Sequence, residues 1–154
     1  MRVHVGLPVT DLAASVDFYR RFLGRSPSRV LPGYAQFLLD EPALNLALTA
    51  TKAAETGEGA APPATPGYHF GIEVESVAAV RSALQRVQNS GLKAKAETDV
   101  LCCYSRQEKF WVEDPDGHRW EVFFVAERYS SDEPGSGCCE PAGASACCAG
   151  CCAG

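Results

Sequence analysis

Two adjacent cysteines, Cys102 and Cys103, are the residues of this sequence that most directly suggest chemistry. The chain has eight cysteines, all in adjacent pairs, and the other pairs are 138–139, 147–148 and 151–152. Neighbouring residues of a regular strand point to opposite faces, so two such thiols converge on one target only where strand geometry breaks. The N-terminus lacks the apolar run of an export signal, so we expect a reducing compartment. There, paired thiols more often bind metals or react than form disulfides.

His4, His69 and Glu121 form the second set of residues with chemical potential. Two imidazoles and one carboxylate on one face of a metal ion are the facial triad that suits Fe(II), with the remaining positions open to water, dioxygen or substrate. The same three groups can hold Zn or Mn, so ligand type alone leaves the metal open. The triad requires a fold that brings all three side chains to one face.

An internal repeat provides such a fold. Segments 3–14 and 68–79 align with an offset of 65 positions, as His4 and His69 show, and their Gly, Val and two Ala residues also coincide. Each copy is an alternating strand, an amphipathic helix and three short strands, which gives two βαβββ modules. The predicted helices span 11–23 and 76–89, with Asp11 and Ser76 as N-caps. The strands predicted after them span 28–30, 34–39 and 44–50, then 93–100, 109–113 and 120–126.

The fold class expected from this repeat is α+β, with the paired modules forming one cupped mixed sheet. The first module takes residues 1–50 and the second takes residues 67–128. Residues 51–66, rich in Ala, Pro, Gly and Thr, are the predicted linker. Residues 129–154 have no periodic apolar residues, so we predict a disordered cysteine-rich tail.

Strand parity predicts which side chains share a face. His4 and Gly6 alternate with apolar residues of the first strand, so they are expected to face away from the helices, and His69 occupies the equivalent position. Glu121 alternates with an apolar set in the last strand and is expected on the same open face. The two apolar sets are Val3, Val5 and Leu7, and Trp120, Val122 and Phe124.

Asn45 is the residue that we assign as the first-module counterpart of Glu121. A neutral amide is a poor ligand for a hard divalent ion, so this corner of the site is expected to be open, which favours dioxygen chemistry over Lewis-acid isomerisation. His118 follows the turn formed by residues 114–117 and is predicted to be a surface residue rather than a ligand.

Composition narrows the classes of partner. The chain has 154 residues, 46% of them hydrophobic, and a formal net charge of -5. Its scattered basic residues argue against nucleic acid, and its apolar runs are shorter than the roughly 20 residues that span a bilayer. We expect a soluble cytoplasmic protein with a small-molecule substrate, either a monomer or a homodimer.

The paired modules, the His-x-Gly openings and the Asp-Pro-Asp-Gly-His-Arg-Trp-Glu ending resemble the vicinal oxygen chelate superfamily over residues 1 to about 127. That superfamily includes glyoxalases, antibiotic resistance proteins and extradiol dioxygenases. The Cys102-Cys103-Tyr104 segment ahead of Phe-Trp-Val-Glu, together with the three candidate ligands, is similar to the carbon–arsenic lyases. These are ferrous-iron dioxygenases that demethylate or dearylate trivalent organoarsenicals.

The resemblance implies Fe(II) as cofactor, held by His4, His69 and Glu121, with dioxygen as co-substrate. It implies that Cys102 and Cys103 bind the substrate, because trivalent arsenic in R-As(OH)2 has two exchangeable hydroxyls and keeps its carbon when two thiolates replace them. Tyr104 and Lys109 lie close in sequence and are predicted catalytic residues that donate hydrogen bonds to the intermediate. Whether the substituent is methyl or aromatic stays open.

Other interpretations also stay open. Cys102 and Cys103 can fill an apolar gap or form a strained vicinal disulfide. The tail pairs can capture soft metalloids, or bind Zn or Cu(I) on their own. The whole protein can be a non-catalytic protein of the same fold that sequesters arsenicals or an antibiotic, or an extradiol dioxygenase acting on a catechol.

Overall fold

The computed structural model of the protein describes residues 1–51, 68–102 and 105–128, with only the backbone of residues 101 and 102. The expected α+β class is confirmed, because each module contributes one helix and one four-stranded mixed sheet. The predicted linker, apart from residue 51, and the predicted tail lie outside the described residues. The first module consists of β1 (Val3–Val9), α1 (Leu12–Leu23), β2 (Arg29–Leu31), β3 (Tyr34–Leu39) and β4 (Leu44–Ala50). The second consists of β5 (Phe70–Glu73), α2 (Val77–Asn89), β6 (Lys95–Cys102), β7 (Ser105–Glu113) and β8 (Arg119–Arg128).

The two sheets have the same topology. Their strand orders are β1-β4-β3-β2 and β5-β8-β7-β6, and the first strand of each module runs parallel to its last strand. The remaining neighbours are antiparallel hairpins. The repeat found in the sequence is therefore a structural repeat.

Both helices begin at the predicted N-caps. The Asp11 carboxylate accepts a hydrogen bond from the Ala14 amide at 3.0 Å, and the Ser76 hydroxyl accepts one from the Ala79 amide at 3.1 Å. These bonds satisfy amides that the first helical turn leaves without a partner. Helix α1 ends at Gly24, whose φ of 66° is the left-handed conformation that glycine adopts without strain. None of the helices that the structure describes is long and apolar enough to cross a membrane.

One hydrophobic core joins the modules. Trp120 of the second module stacks on Phe70 with ring centroids 4.8 Å apart and packs edge-on against Tyr19 of α1 at 6.1 Å. Full burial of a large apolar side chain stabilises a fold by about 1.5 to 3 kcal/mol, so these shared aromatics hold the modules together. The fully buried large side chains include Tyr19, Phe22, Phe37, Phe110, Leu46, Leu48, Val9 and Val87.

The predicted turn at residues 114–117 is tied to helix α1. The Asp114 side chain is fully buried and accepts hydrogen bonds from the Tyr19 hydroxyl at 2.8 Å and from His118 Nδ1 at 2.9 Å. Burial acts to raise the pKa of Asp114, but the bonds from His118 and Tyr19 outweigh it and hold that pKa below its ordinary value. The prediction that His118 lies on the surface is wrong: its side chain is only 15% exposed because this carboxylate holds it.

Strand β6 lies two residues later than predicted, and β7 is longer than predicted. They pair as a hairpin up to Cys102 opposite Ser105, whereas the sequence suggested that β7 begins at Lys109. The extra segment of β7 was hidden because its buried side, with Ser105 and Gln107, is polar. A search for alternating apolar residues does not detect such a strand.

Candidate functional site

His69 and Glu121 meet on the face of the second sheet that points away from α2. His69 lies directly before β5, and its Nε2 atom is 3.4 Å from Oε1 of Glu121 on the neighbouring strand β8. Two ligands held about 2.1 Å from one ion, at angles of about 90 to 109°, are about 3.0 to 3.4 Å apart. The two side chains therefore fit a divalent metal ion in donor type and in spacing.

Gly71 leaves the space that the Glu121 carboxylate occupies. The two residues are partners across β5 and β8. A Cβ atom at position 71 would lie 3.3 Å from Glu121 Oε1 and 2.9 Å from Cε1 of Phe123. A side chain at this position would force the carboxylate or the ring to move.

Lys109 lies on β7 next to this pair. Its side chain is 1% exposed, and Nζ is 3.2 Å from Glu121 Oε2 and 3.2 Å from Gln107 Oε1. The structure thus brings one predicted catalytic residue into contact with one predicted ligand. A buried ion pair is stable only when further hydrogen bonds satisfy its polar atoms, and Gln107 provides one of them.

Trp111 forms a wall beside His69. The rings of His69 and Trp111 are 5.1 Å apart in an edge-to-face arrangement, and the Arg119 guanidinium lies 4.5 Å from the Trp111 ring centroid. Such contacts restrict the orientation of the imidazole. A cavity of about 310 Å³ opens beside this wall and is lined by Lys93, Ala94, Lys95, Trp111, Val112, Glu113 and Arg119.

His4, the third predicted ligand, is exposed on β1 of the other sheet. Across residues 1–51, 68–102 and 105–128, no three His, Cys, Asp or Glu side chains are grouped closely enough to hold a metal ion. An apolar cavity of about 240 Å³ is lined by residues of β1 and β5, among them Val3, Val5, Phe70 and Ile72. The structure therefore brings two of the three predicted donors together, and the place of His4 in the triad stays a prediction.

Asn45 is not the counterpart of Glu121. Gly71 lies opposite Glu121, and its repeat equivalent Gly6 lies opposite Ala47. Asn45 instead lies opposite His4 and accepts a hydrogen bond from Gln36 at 2.8 Å. The assignment was wrong by two residues because the sequence alone does not fix strand register. A methyl group cannot ligate a metal, so this corner offers no donor of its own.

The thiol pair falls at the end of the β6–β7 hairpin. Cys102 is the last residue of β6 and pairs with Ser105. Cys103 and Tyr104 lie outside the described residues, as does the side chain of Cys102. Strand β6 has a register irregularity between Glu97 and Val100, so pairing with β7 is interrupted there and resumes up to Cys102. The convergence of the two thiols stays a prediction.

Two buried polar residues of β7 had no place in the sequence predictions. Ser105 is 4% exposed and Gln107 is 7% exposed, on the same side of the strand as Lys109. Their period-two spacing with Lys109 is the signal that could have identified them.

The sequence is similar to one described protein superfamily and to several named proteins. The pattern of the Glyoxalase/Bleomycin resistance protein/Dioxygenase superfamily matches residues 2–122. A "Trivalent organoarsenical cleaving enzyme" from Thermomonospora curvata is 42% identical over 91% of this chain and 89% of its own length. A protein of the same name from Bacillus sp. strain MD1 is 39% identical over 79% of this chain and 71% of its own length. The "Cadmium-induced protein CadI" of Mycobacterium tuberculosis is 36% identical over 80% and 76%.

Solved structures agree on the fold. A glyoxalase/bleomycin resistance protein/dioxygenase from Nocardioides has a TM-score of 0.63 and 23% identity, covering 88% of this chain and 89% of that one. A protein of the same description from Alicyclobacillus acidocaldarius also has a TM-score of 0.63, with 18% identity and 82% and 92% coverage. At these identities the likeness concerns the fold alone.

Proposed function

The chain belongs to the Glyoxalase/Bleomycin resistance protein/Dioxygenase superfamily, and from that premise we propose that it cleaves the carbon–arsenic bond of trivalent organoarsenicals and releases arsenite. The observation that carries the proposal is the 3.4 Å distance between His69 Nε2 and Glu121 Oε1. Both residues lie on the second sheet, whose β6–β7 hairpin carries the thiol pair in the sequence. The relatives named as trivalent organoarsenical cleaving enzymes support it at 42% and 39% identity.

The thiols of Cys102 and Cys103 bind the substrate in this proposal. Each thiol replaces one hydroxyl of R-As(OH)2, forming one sulfur–arsenic bond and releasing one water molecule, so the carbon substituent is the only original group left on arsenic. The oxidation state of arsenic does not change in this exchange. Fixing the arsenic in this way can lower a reaction barrier by as much as about 7 to 11 kcal/mol when the reacting groups are well oriented.

The metal in this proposal is Fe(II), which His69 and Glu121 would hold with His4 as the third donor. When bound, ferrous iron supplies the activation of dioxygen that oxidation of the organic group requires. The ion pair between Lys109 and Glu121 occupies one carboxylate oxygen, so the other oxygen is directed towards His69. Trp111 packs against the His69 ring and limits its rotation.

A non-catalytic protein that sequesters arsenicals is the second candidate. The specific observation that favours it is the 36% identity to a protein named only as cadmium-induced. A sequestering protein needs the thiols but has no use for a pair of metal donors. The lyase needs both, and an extradiol dioxygenase needs the donors but not the thiols.

Two variants of the full chain separate these functions. In Glu121→Ala we expect unchanged binding of methylarsenite, followed by quenching of tryptophan fluorescence, with loss of arsenite release. In the double variant Cys102→Ser/Cys103→Ser we expect loss of both. Full arsenite release by the double variant would refute the lyase. If the wild type and both variants bind methylarsenite equally and none of them releases arsenite, the function would instead be sequestration by the other cysteine pairs.

A further inference from the structure

A continuous line of buried polar side chains runs along strand β7 to the candidate metal site. Gln107 Nε2 is 2.8 Å from Ser105 Oγ, Lys109 Nζ is 3.2 Å from Gln107 Oε1, and Lys109 Nζ is 3.2 Å from Glu121 Oε2. All four side chains belong to residues that are at most 7% exposed. Polar groups buried to this extent are held by their hydrogen bonds, because an unmade bond costs about 1 to 3 kcal/mol.

The direction of each bond in this line is fixed by chemistry. The Lys109 ammonium only donates, so the atom of Gln107 that faces it must be the carbonyl oxygen Oε1. The amide nitrogen of Gln107 must then face Ser105, whose hydroxyl oxygen accepts. Ser105 therefore fixes the amide of Gln107, and Gln107 fixes the position of the ammonium.

The position of the Lys109 ammonium affects the two oxygens of Glu121 differently. Lys109 contacts Oε2, while Oε1 is the oxygen that lies 3.4 Å from His69 Nε2. An ammonium ion that holds one carboxylate oxygen lowers the charge that this oxygen offers to a metal ion, so coordination by the other oxygen is favoured. Glu121 would then be a monodentate ligand, and one more coordination position would stay open for substrate.

We propose that Gln107 and Ser105 are positioning residues that hold Lys109 on Oε2 and so make Glu121 a monodentate ligand. The inference rests on the proposed function in that it takes Glu121 as a metal ligand. In this proposal both residues act on the site through Lys109. Partners that orient metal ligands typically change metal affinity by about 10- to 100-fold when they are removed.

The line also begins at the thiol hairpin. Ser105 pairs with Cys102 across the hairpin, and Lys109 lies four residues further along the same strand. The residues that position the carboxylate are therefore part of the strand that leaves the thiol pair. Strand β7 therefore connects the candidate metal site to the hairpin that carries the thiol pair.

The test is an anaerobic titration with Co(II) alone of the metal-free full chain, after its eight cysteine thiols have been blocked by S-methylation because free thiolates also bind Co(II). The visible absorption bands of Co(II) then report coordination by nitrogen and oxygen donors. For Gln107→Leu we expect an affinity about 10-fold lower and weaker bands, because a released Glu121 becomes bidentate and raises the coordination number. Gln85→Leu is the control, since it makes the same change of side chain at an exposed position of α2, away from the candidate site. We expect the control to keep wild-type affinity and bands.

Ser105→Ala removes only one oxygen and keeps the test valid if Gln107→Leu does not fold. We expect it to weaken Co(II) binding in the same direction, and we expect little additional loss when it is combined with Gln107→Leu, because both changes break one line. Wild-type affinity and bands in either folded variant would refute the inference. Failure of the wild-type chain to bind Co(II) would instead refute the proposed metal site itself.

Discussion

Replacing Gly71 by alanine tests whether the space beside Glu121 matters. The new Cβ would lie 2.9 Å from Phe123 Cε1 and 3.3 Å from Glu121 Oε1, and ordinary contacts begin near 3.4 Å. The ring must therefore retreat by about 0.5 Å, and the carboxylate by less. Crowding of this kind costs about 1 to 3 kcal/mol, of which about 0.5 to 1 kcal/mol is regained because alanine is favoured over glycine within a strand. We expect the free energy of unfolding to fall by up to about 2.5 kcal/mol.

The same substitution should also weaken the metal site. Crowding of the Glu121 oxygen by the new Cβ lowers Co(II) affinity, and we expect about a 10-fold loss in the same titration. Gly6→Ala is the matched control at the equivalent position of the first module. Among residues 1–51, 68–102 and 105–128, the nearest atom to the new Cβ there is His4 Nε2 at an unstrained 4.0 Å, so stability should rise slightly and Co(II) affinity should stay unchanged. Equal Co(II) affinities of Gly71→Ala and Gly6→Ala would refute this reasoning.

Three further substitutions probe the buried charges. Lys109→Met leaves the buried carboxylate of Glu121 without its counter-charge, so it should lower the free energy of unfolding by about 3 to 5 kcal/mol in urea titrations. The control Lys95→Met, at a 72% exposed side chain, should change that free energy by less than about 1 kcal/mol. Tyr19→Phe removes a hydrogen bond to buried Asp114 and should cost about 1.5 to 3 kcal/mol; a loss below 0.5 kcal/mol in the same titration would contradict that role. For His118→Gln the cost should depend on pH, because the bond to Asp114 raises the pKa of His118 above 6.5. The charged His118 ring stabilises the fold fully between the ordinary pKa values of Asp114, 3.8, and of His118, 6.5. This contribution disappears as pH rises through the raised pKa of His118. A difference in stability between wild type and His118→Gln that grows above pH 7 would contradict the ion pair with Asp114.

The repeat made most of the fold predictable. Strands β3 and β4 have the predicted bounds, and both helices begin after the predicted N-caps Asp11 and Ser76. Parity also placed Glu121 on the face opposite Trp120, which is 2% exposed in the core. Local periodicity and capping chemistry fix these features, and both can be read from neighbouring residues.

Features that depend on register or on tertiary contacts could not be predicted in the same way. Asn45 was assigned as the counterpart of Glu121, whereas the register gives Ala47. His118 was expected at the surface, whereas the buried carboxylate of Asp114 holds its ring so that little of it is exposed. A shift of two residues keeps the same face of a strand, so parity cannot detect such an error.

In the candidate site, too, some residues could be predicted from local sequence patterns and others depend on tertiary contacts. Three residues that the structure brings into contact could be identified from the sequence. His69 occupies a repeat position, Glu121 alternates with an apolar set in the last strand, and Lys109 lies close to the thiols. Sequence reasoning did not identify Gln107 and Ser105, because a buried amide and a buried hydroxyl resemble surface residues until their partners are known. In the first part of β7 the buried residues Ser105, Gln107 and Lys109 are polar, and hydrophobic patterns do not reveal that kind of strand segment.

Arsenite release tests the central claim most directly. The full chain would be loaded anaerobically with Fe(II), given methylarsenite, and then exposed to dioxygen while arsenite is measured by liquid chromatography with elemental detection. We expect arsenite to appear only when both Fe(II) and dioxygen are present. Absence of arsenite with both present, or its release at the same rate without iron, would contradict the claim that a metal site and a thiol pair act together on one carbon–arsenic bond.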